Sequence, residues 1–254
     1  MDTYAYIGEV ICGFVYLFVG VRLFLLSRRT GRGPEALIAA SFLLWMLSYA
    51  FWDIPYAFVD SEASVPAGYA YASLVAVALG NVVFAFFIRA VFRPEARWAV
   101  YLVAAVALSN LAGLTGMASM GDWEGGNPLA NPGYWLEFFG SFASTAWMGV
   151  EGLAQYIKMR KQLKLGFCEP LTCNRFLLWG IAGSLWVMLE AITAASDLVY
   201  AFTGQWSEVL GLWTAFFDVA PIAIIWFVFF PPEFYCRWIE GRAKRADAST
   251  PTVD

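Results

Sequence analysis

The sequence predicts an all-α bundle of seven membrane-crossing helices, with the N-terminus outside and the C-terminus in the cytoplasm. Three observations carry this. Of the 254 residues, 60% are apolar and only 14% are charged, against about 25% charged in an ordinary soluble domain. The apolar residues gather into seven runs of the roughly 20 residues that a bilayer crossing requires. All 16 Lys and Arg residues fall on one side, at alternate connections between those runs or after the last of them.

In chain order the expected spans are about 4–27, 36–59, 68–92, 97–118, 133–157, 174–202 and 208–231, within one membrane domain covering 1–242. Turn-forming residues separate them: Gly31 to Pro34, Val65-Pro66, Arg93-Pro94, Gly121 to Pro132, Glu169-Pro170, Thr203-Gly204 and Pro231-Pro232. Arg22, Arg28, Arg29 and Arg32 mark the first connection, and Arg89, Arg93 and Arg97 the third. Lys158, Arg160, Lys161, Lys164 and Arg175 mark the fifth, and Arg237, Arg242, Lys244 and Arg245 follow the last span. The opposite side carries Asp2, Asp60, Glu62, Asp122, Glu124 and Glu208. Cytoplasmic loops collect Lys and Arg, which sets the orientation. The start, Met1 to Ile11, lacks the basic residues of a cleavable signal. Residues 243–254 are polar and are expected to form a disordered cytoplasmic tail. Gly113 and Gly116 in the fourth span are expected to let helices approach closely.

The chain has no histidine. That excludes His-ligated haem, the usual zinc hydrolase sites and imidazole acid–base chemistry. Four cysteines, Cys12, Cys168, Cys173 and Cys236, suggest neither a disulfide framework nor a metal site. Carboxylates inside the spans are then the main candidates for chemistry, because an acid within a bilayer is costly to insert. Asp53 stands in the outer third of the second span, Glu190 near the middle of the sixth, Asp197 two turns beyond it, and Asp218 near the middle of the seventh. Asp53, Glu190 and Asp218 have no Lys or Arg at their depth. A buried acid without a cationic partner favours its neutral form and can donate a proton. Pro55 and Pro221 lie two and three residues after Asp53 and Asp218. Proline inside a span frees a backbone carbonyl and bends the helix, which would widen the bundle there. Asp53 and Asp218 are therefore the expected catalytic residues. Trp52, Tyr56, Asn81, Trp186, Glu190, Asp197 and Trp213 are the expected lining of a ligand pocket. Each also has a plainer reading: Asn81 as interhelical hydrogen-bond glue, Asp197 reaching water, and the tryptophans as aromatic core.

Three resemblances attach to these residues. The run Asp218-Val219-Ala220-Pro221-Ile222 resembles the Asp-x-x-x-Lys run of the last helix of microbial rhodopsins. Here Ile222 stands where the retinal lysine would be, and Lys158, Lys161, Lys164 and Lys244 all lie outside the spans. A covalent retinal pigment is excluded. The segment Phe51 to Phe58, FWDIPYAF, resembles the Trp-Glu-x-x-Tyr segment of the small seven-span terpene cyclases of fungal meroterpenoid and indole-diterpene pathways. That resemblance covers eight residues together with chain size and span count. It implies that Asp53 and Asp218, matching the family's acids in the second and last spans, protonate an isoprenoid epoxide or olefin. Asp in place of Glu at 53 moves the carboxyl by one methylene. The segments 156–171 and 174–179 resemble loops of uncharacterised bacterial seven-span proteins and imply no function.

Three functions stay open at this level. One is an intramembrane enzyme that cyclises or isomerises a lipophilic isoprenoid-like substrate by acid catalysis. Another is a non-enzymatic seven-span sensor or ligand-binding protein signalling through its basic loops. The third is a proton-coupled carrier using Glu190 and Asp197 as a relay. Expected partners are membrane lipids and a hydrophobic small molecule, with no nucleic acid, and a cytoplasmic partner at the basic loops under the second reading. No cofactor or metal is expected. The expected location is the cell membrane, as a multi-pass protein.

Overall fold

The structure, a computed structural model, describes residues 3–57, 67–120, 131–205 and 207–248. Among them are eight α-helices: α1 (Thr3–Thr30), α2 (Gly33–Ala57), α3 (Ala67–Phe92), α4 (Arg97–Met120), α5 (Pro132–Lys164), α6 (Pro170–Thr203), α7 (Glu208–Phe229) and α8 (Glu233–Ala248). Six of them, α1 to α4, α6 and α7, are long and apolar enough to cross a membrane. This is the pattern of a multi-pass membrane protein. α5 is 33 residues long, about 50 Å at 1.5 Å per residue. Its apolar character is diluted by an inward stripe of small and polar residues: Gly140, Ser144, Thr145, Gly149, Glu151 and Gly152 are all buried.

Local chemistry sets the helix ends. Gly31, Gly166 and Gly204 take positive φ at the turns after α1, α5 and α6, a conformation open to glycine without a Cβ penalty. Pro132 and Pro170 open α5 and α6, where a missing N–H costs nothing. The Asn131 side chain accepts from the Gly133 amide, and Ser207 accepts from Leu210 to cap α7. α7 continues through Pro221 to Phe229. Basic residues fill the last turns of α1, α3 and α5, where they complement the helix dipoles.

Each helix from α1 to α7 packs on its chain neighbours, and α1 also meets α7, so the seven close into a ring. α3 reaches across to α5, and α8 rests on α6. The buried core runs through Leu23, Ile38, Phe42, Phe84, Phe87, Ile88, Met148, Ile222 and Ile225. Large apolar side chains also face outward all round the bundle, among them Phe14, Tyr101, Leu108, Val150 and Phe202. An exterior this apolar suits lipid contact, where a water-facing surface would be polar.

The polar tail expected from 243 begins within the last helix. α8 runs from Glu233 to Ala248, and residues 249–254 lie outside the described residues. Local chemistry supports the first part of α8. Glu233 sits in the first turn, where it complements the dipole, and Ile239 is buried. Arg242 stacks over Trp238 with its guanidinium carbon 4.9 Å from the ring centroid.

Two seams are built from glycine. Gly133 of α5 lies so close to α4 that a Cβ there would stand 2.6 Å from the Met117 amide nitrogen, with the Gly113 carbonyl oxygen at 2.8 Å. Gly152 of α5 faces Gly180 of α6, where a Cβ would meet the Gly180 amide nitrogen at 2.4 Å. The obstructing atoms are backbone, which cannot rotate away. Gly152→Ala should therefore lower stability by about 1–3 kcal/mol, the usual cost of overpacking, read as a fall in the unfolding midpoint in detergent. Gly33→Ala, with nothing within 4 Å of the added methyl, should stay within about 0.5 kcal/mol of wild type.

Candidate functional site

A chamber of about 260 Å³ lies inside the ring. One face of each of five helices lines it. α1 gives Tyr16; α2 gives Trp45, Ser48, Tyr49 and Trp52; α3 gives Ser73, Val77 and Asn81. α5 gives Ser141 and Thr145, and α6 gives Trp186, Leu189 and Glu190. The spacings of three and four residues on α2, α3 and α6 are those of a single helical face.

The aromatic walls are fixed against one another. Tyr16 stacks on Tyr49, with centroids 5.8 Å apart and an interplanar angle of 24°. Tyr16 meets Trp45 edge-on at 5.7 Å and 73°, and Trp45 meets Trp186 at 5.7 Å and 66°. Such T-shaped pairs bring the positive edge of one ring to the negative face of the next. Phe42 and Phe84 back these rings from the core.

Polar groups around the chamber find partners within the bundle. The Trp45 indole donates to Asn81 Oδ1 at 3.2 Å. Asn81 Nδ2 donates to Asn110 Oδ1 at 3.2 Å and to Glu137 Oε1 at 3.3 Å. Asn81 thus joins α2, α3, α4 and α5. The Ser48 and Ser73 hydroxyls lie 2.9 Å apart. Ser141 donates to the Glu190 carboxyl.

Asp218 stands behind the tyrosines. It is 3% exposed and is not among the residues lining the chamber. Tyr16 Oη donates to its Oδ1 at 2.7 Å, and Tyr49 Oη donates to Oδ2. Among the described residues the ion pairs are Arg32 with Glu35 and Arg93 with Glu151, so neither Asp218 nor Glu190 has a cationic side chain beside it. Where Arg93 does meet Glu151, 2.8 Å away, the carboxylate holds the guanidinium above its usual range.

The residues singled out in the sequence fall into four groups. Trp52, Asn81, Trp186 and Glu190 line the chamber. Asp218 reaches it only through Tyr16 and Tyr49. Asp197 lies elsewhere, accepting from Tyr134, and Trp213 is 51% exposed on the outside of α7. The side chains of Asp53 and Tyr56 lie outside the described residues, so the expected meeting of Asp53 with Asp218 is not among the contacts seen. Tyr16 and Tyr49 were missed. Tyr49 carried a signal, since Trp45, Tyr49 and Trp52 recur at i, i+4 and i+7. Tyr16 carried none, being one tyrosine in an apolar run.

The two phenols hold one buried carboxyl, so their contributions should couple. Tyr49→Phe should cost about 1–3 kcal/mol of stability by leaving a buried acceptor short of a donor. Combined with Asp218→Asn, the loss should fall below the sum of the single losses, read by thermal unfolding of all three variants. Strict additivity would mean that the phenol and the carboxyl do not meet. Comparison with known protein families, curated proteins and solved structures finds no match for this chain.

Proposed function

We propose that the chain is a seven-span protein of the cell membrane, N-terminus outside and C-terminus cytoplasmic, that binds a small lipophilic molecule in the chamber between α1, α2, α3, α5 and α6. The seven-span count takes α5 as a crossing. Its polar stripe faces inward, its neighbours on both sides are membrane-spanning candidates, and it supplies part of the ring wall. The orientation follows from the basic residues at the ends of α1, α3 and α5 and in α8.

The observation that carries the binding reading is the chamber itself: aromatic walls, the carboxyl of Glu190, and hydroxyls from Ser48 and Ser73 among the described residues. Sites for small molecules are concave, mostly apolar and marked by a few convergent polar groups. The chamber is slightly smaller than the roughly 300–1,000 Å³ typical of drug-sized ligands, which favours a compact occupant.

Acid catalysis on an isoprenoid-like substrate is the second reading, favoured by the carboxyl of Glu190 on the chamber wall. In this form the proton donor is Glu190, because both oxygens of Asp218 are engaged by phenols. Glu190 would give its proton to a substrate olefin, and the aromatic faces would shield the carbocation formed.

Two measurements separate these readings. Mass spectrometry of the denatured, purified protein should reveal one small molecule above the lipid background. Val77→Phe, which adds a ring to the chamber wall, should lose it. Absence from wild type, or retention in Val77→Phe, removes the binding reading. If the protein is a catalyst, wild-type membranes should convert an isoprenoid substrate and Glu190→Gln should slow conversion at least about 100-fold. Equal conversion by both would remove the catalytic reading.

A further inference from the structure

We infer that the chamber selects a monocation, a protonated amine or quaternary ammonium on a compact apolar body; this rests on the binding reading above. Five aromatic residues, Tyr16, Trp45, Tyr49, Trp52 and Trp186, line the space, and the steep angles of 73° between Tyr16 and Trp45 and 66° between Trp45 and Trp186 make a corner rather than a flat wall. Ring faces carry negative charge density and attract cations, most strongly where water is excluded. The carboxyls near this space among the described residues are acids without a cationic partner, which an incoming cation would stabilise in their ionised form. Glu190 lines the chamber, and Asp218 lies one phenol away behind Tyr16 and Tyr49. No Lys or Arg is among the lining residues.

The same composition rejects other occupants. An anion would meet carboxyls and ring faces with no cationic side chain on the wall. A hard metal ion such as calcium takes six to eight oxygen ligands, whereas among the described residues this wall offers one carboxyl, and the hydroxyls and amide beside it are hydrogen-bonded within the bundle. A neutral apolar molecule would fill the space with Glu190 held in its neutral form, the form a buried acid without a cationic partner favours, and would gain nothing from the carboxyl beyond packing. An ammonium supplies an opposite charge, and its apolar substituents fit the rings.

The test uses full-length protein in nanodiscs of neutral lipid. Isothermal titration compares benzyltrimethylammonium with neopentylbenzene, its uncharged carbon isostere, after subtraction of empty nanodiscs. The cation should bind at least about tenfold more tightly. Glu190→Gln should remove most of that preference, Val77→Phe should abolish binding, and Leu108→Ala, on the outer face of α4, should change nothing. Equal or tighter binding of the isostere, still lost in Val77→Phe, overturns the cation inference and leaves the binding reading standing. Cation preference that survives Glu190→Gln also overturns it. Binding of neither probe, or binding indifferent to Val77→Phe, overturns both. Should Glu190→Gln fail to fold, the wild-type comparison of the two isosteres with Val77→Phe decides by itself.

Discussion

The Asp218 carboxyl, buried in an apolar bundle without a cationic side chain beside it, draws its hydrogen bonds from Tyr16 and Tyr49. Away from water an unmet acceptor costs more than a made bond gains, so these donors constrain the packing around them. They come from α1 and α2, and α7 brings the acid. One small polar cluster thereby draws together α1, α2 and α7, where the ring closes. The tyrosine rings that reach Asp218 on one side form the wall of the chamber on the other. The same two residues serve stability and the candidate site, and neither role can be altered alone.

The rest of the interior follows the same constraint. Asn81 accepts from the Trp45 indole and donates to Asn110 and Glu137, linking four helices through one amide. Between helices in lipid there is little hydrophobic driving force, because lipid tails are as apolar as leucine; close packing and interhelical hydrogen bonds take its place. The glycine seam between α5 and α6 supplies the packing, and the serine, asparagine and acid side chains supply the bonds. The less apolar composition of α5 is a consequence. It carries Ser141, Thr145 and Glu137 toward the interior, and so reads as less membrane-like than its neighbours.

Charge is divided by location. The arginines and lysines gather at the ends of α1, α3 and α5 and on α8, where they can reach water or headgroups. Arg22 has its guanidinium 5.8 Å from the Trp226 ring and 5.6 Å from Phe230, and Arg93 lies 5.8 Å from Trp98 while bound to Glu151. Aromatic faces and one buried acid thus receive the cationic side chains near the bundle's basic end. The chamber offers aromatic residues and an acid, with no Lys or Arg among its described lining residues. That contrast within one molecule is the basis for assigning it a cationic guest.

The sequence by itself determined the helical character, the spacing of the apolar runs and most helix ends, because these depend on local chemistry: long apolar stretches, glycines that accept positive φ, prolines at helix starts. It also marked Trp52, Asn81, Trp186 and Glu190 as polar or aromatic groups worth placing. It ranked Asp218 ahead of Glu190 and Asp197 as a catalytic acid, whereas of these three only Glu190 lines the chamber. It did not separate Tyr16, which is buried, from Phe14, which faces outward on the same helix. Only the tertiary structure decided those assignments. In a soluble helix the wet face is polar and the period reveals the buried side; in this bundle both the lipid side and the interior are apolar, so rotation about each helix axis is fixed by packing and hydrogen bonds between distant residues.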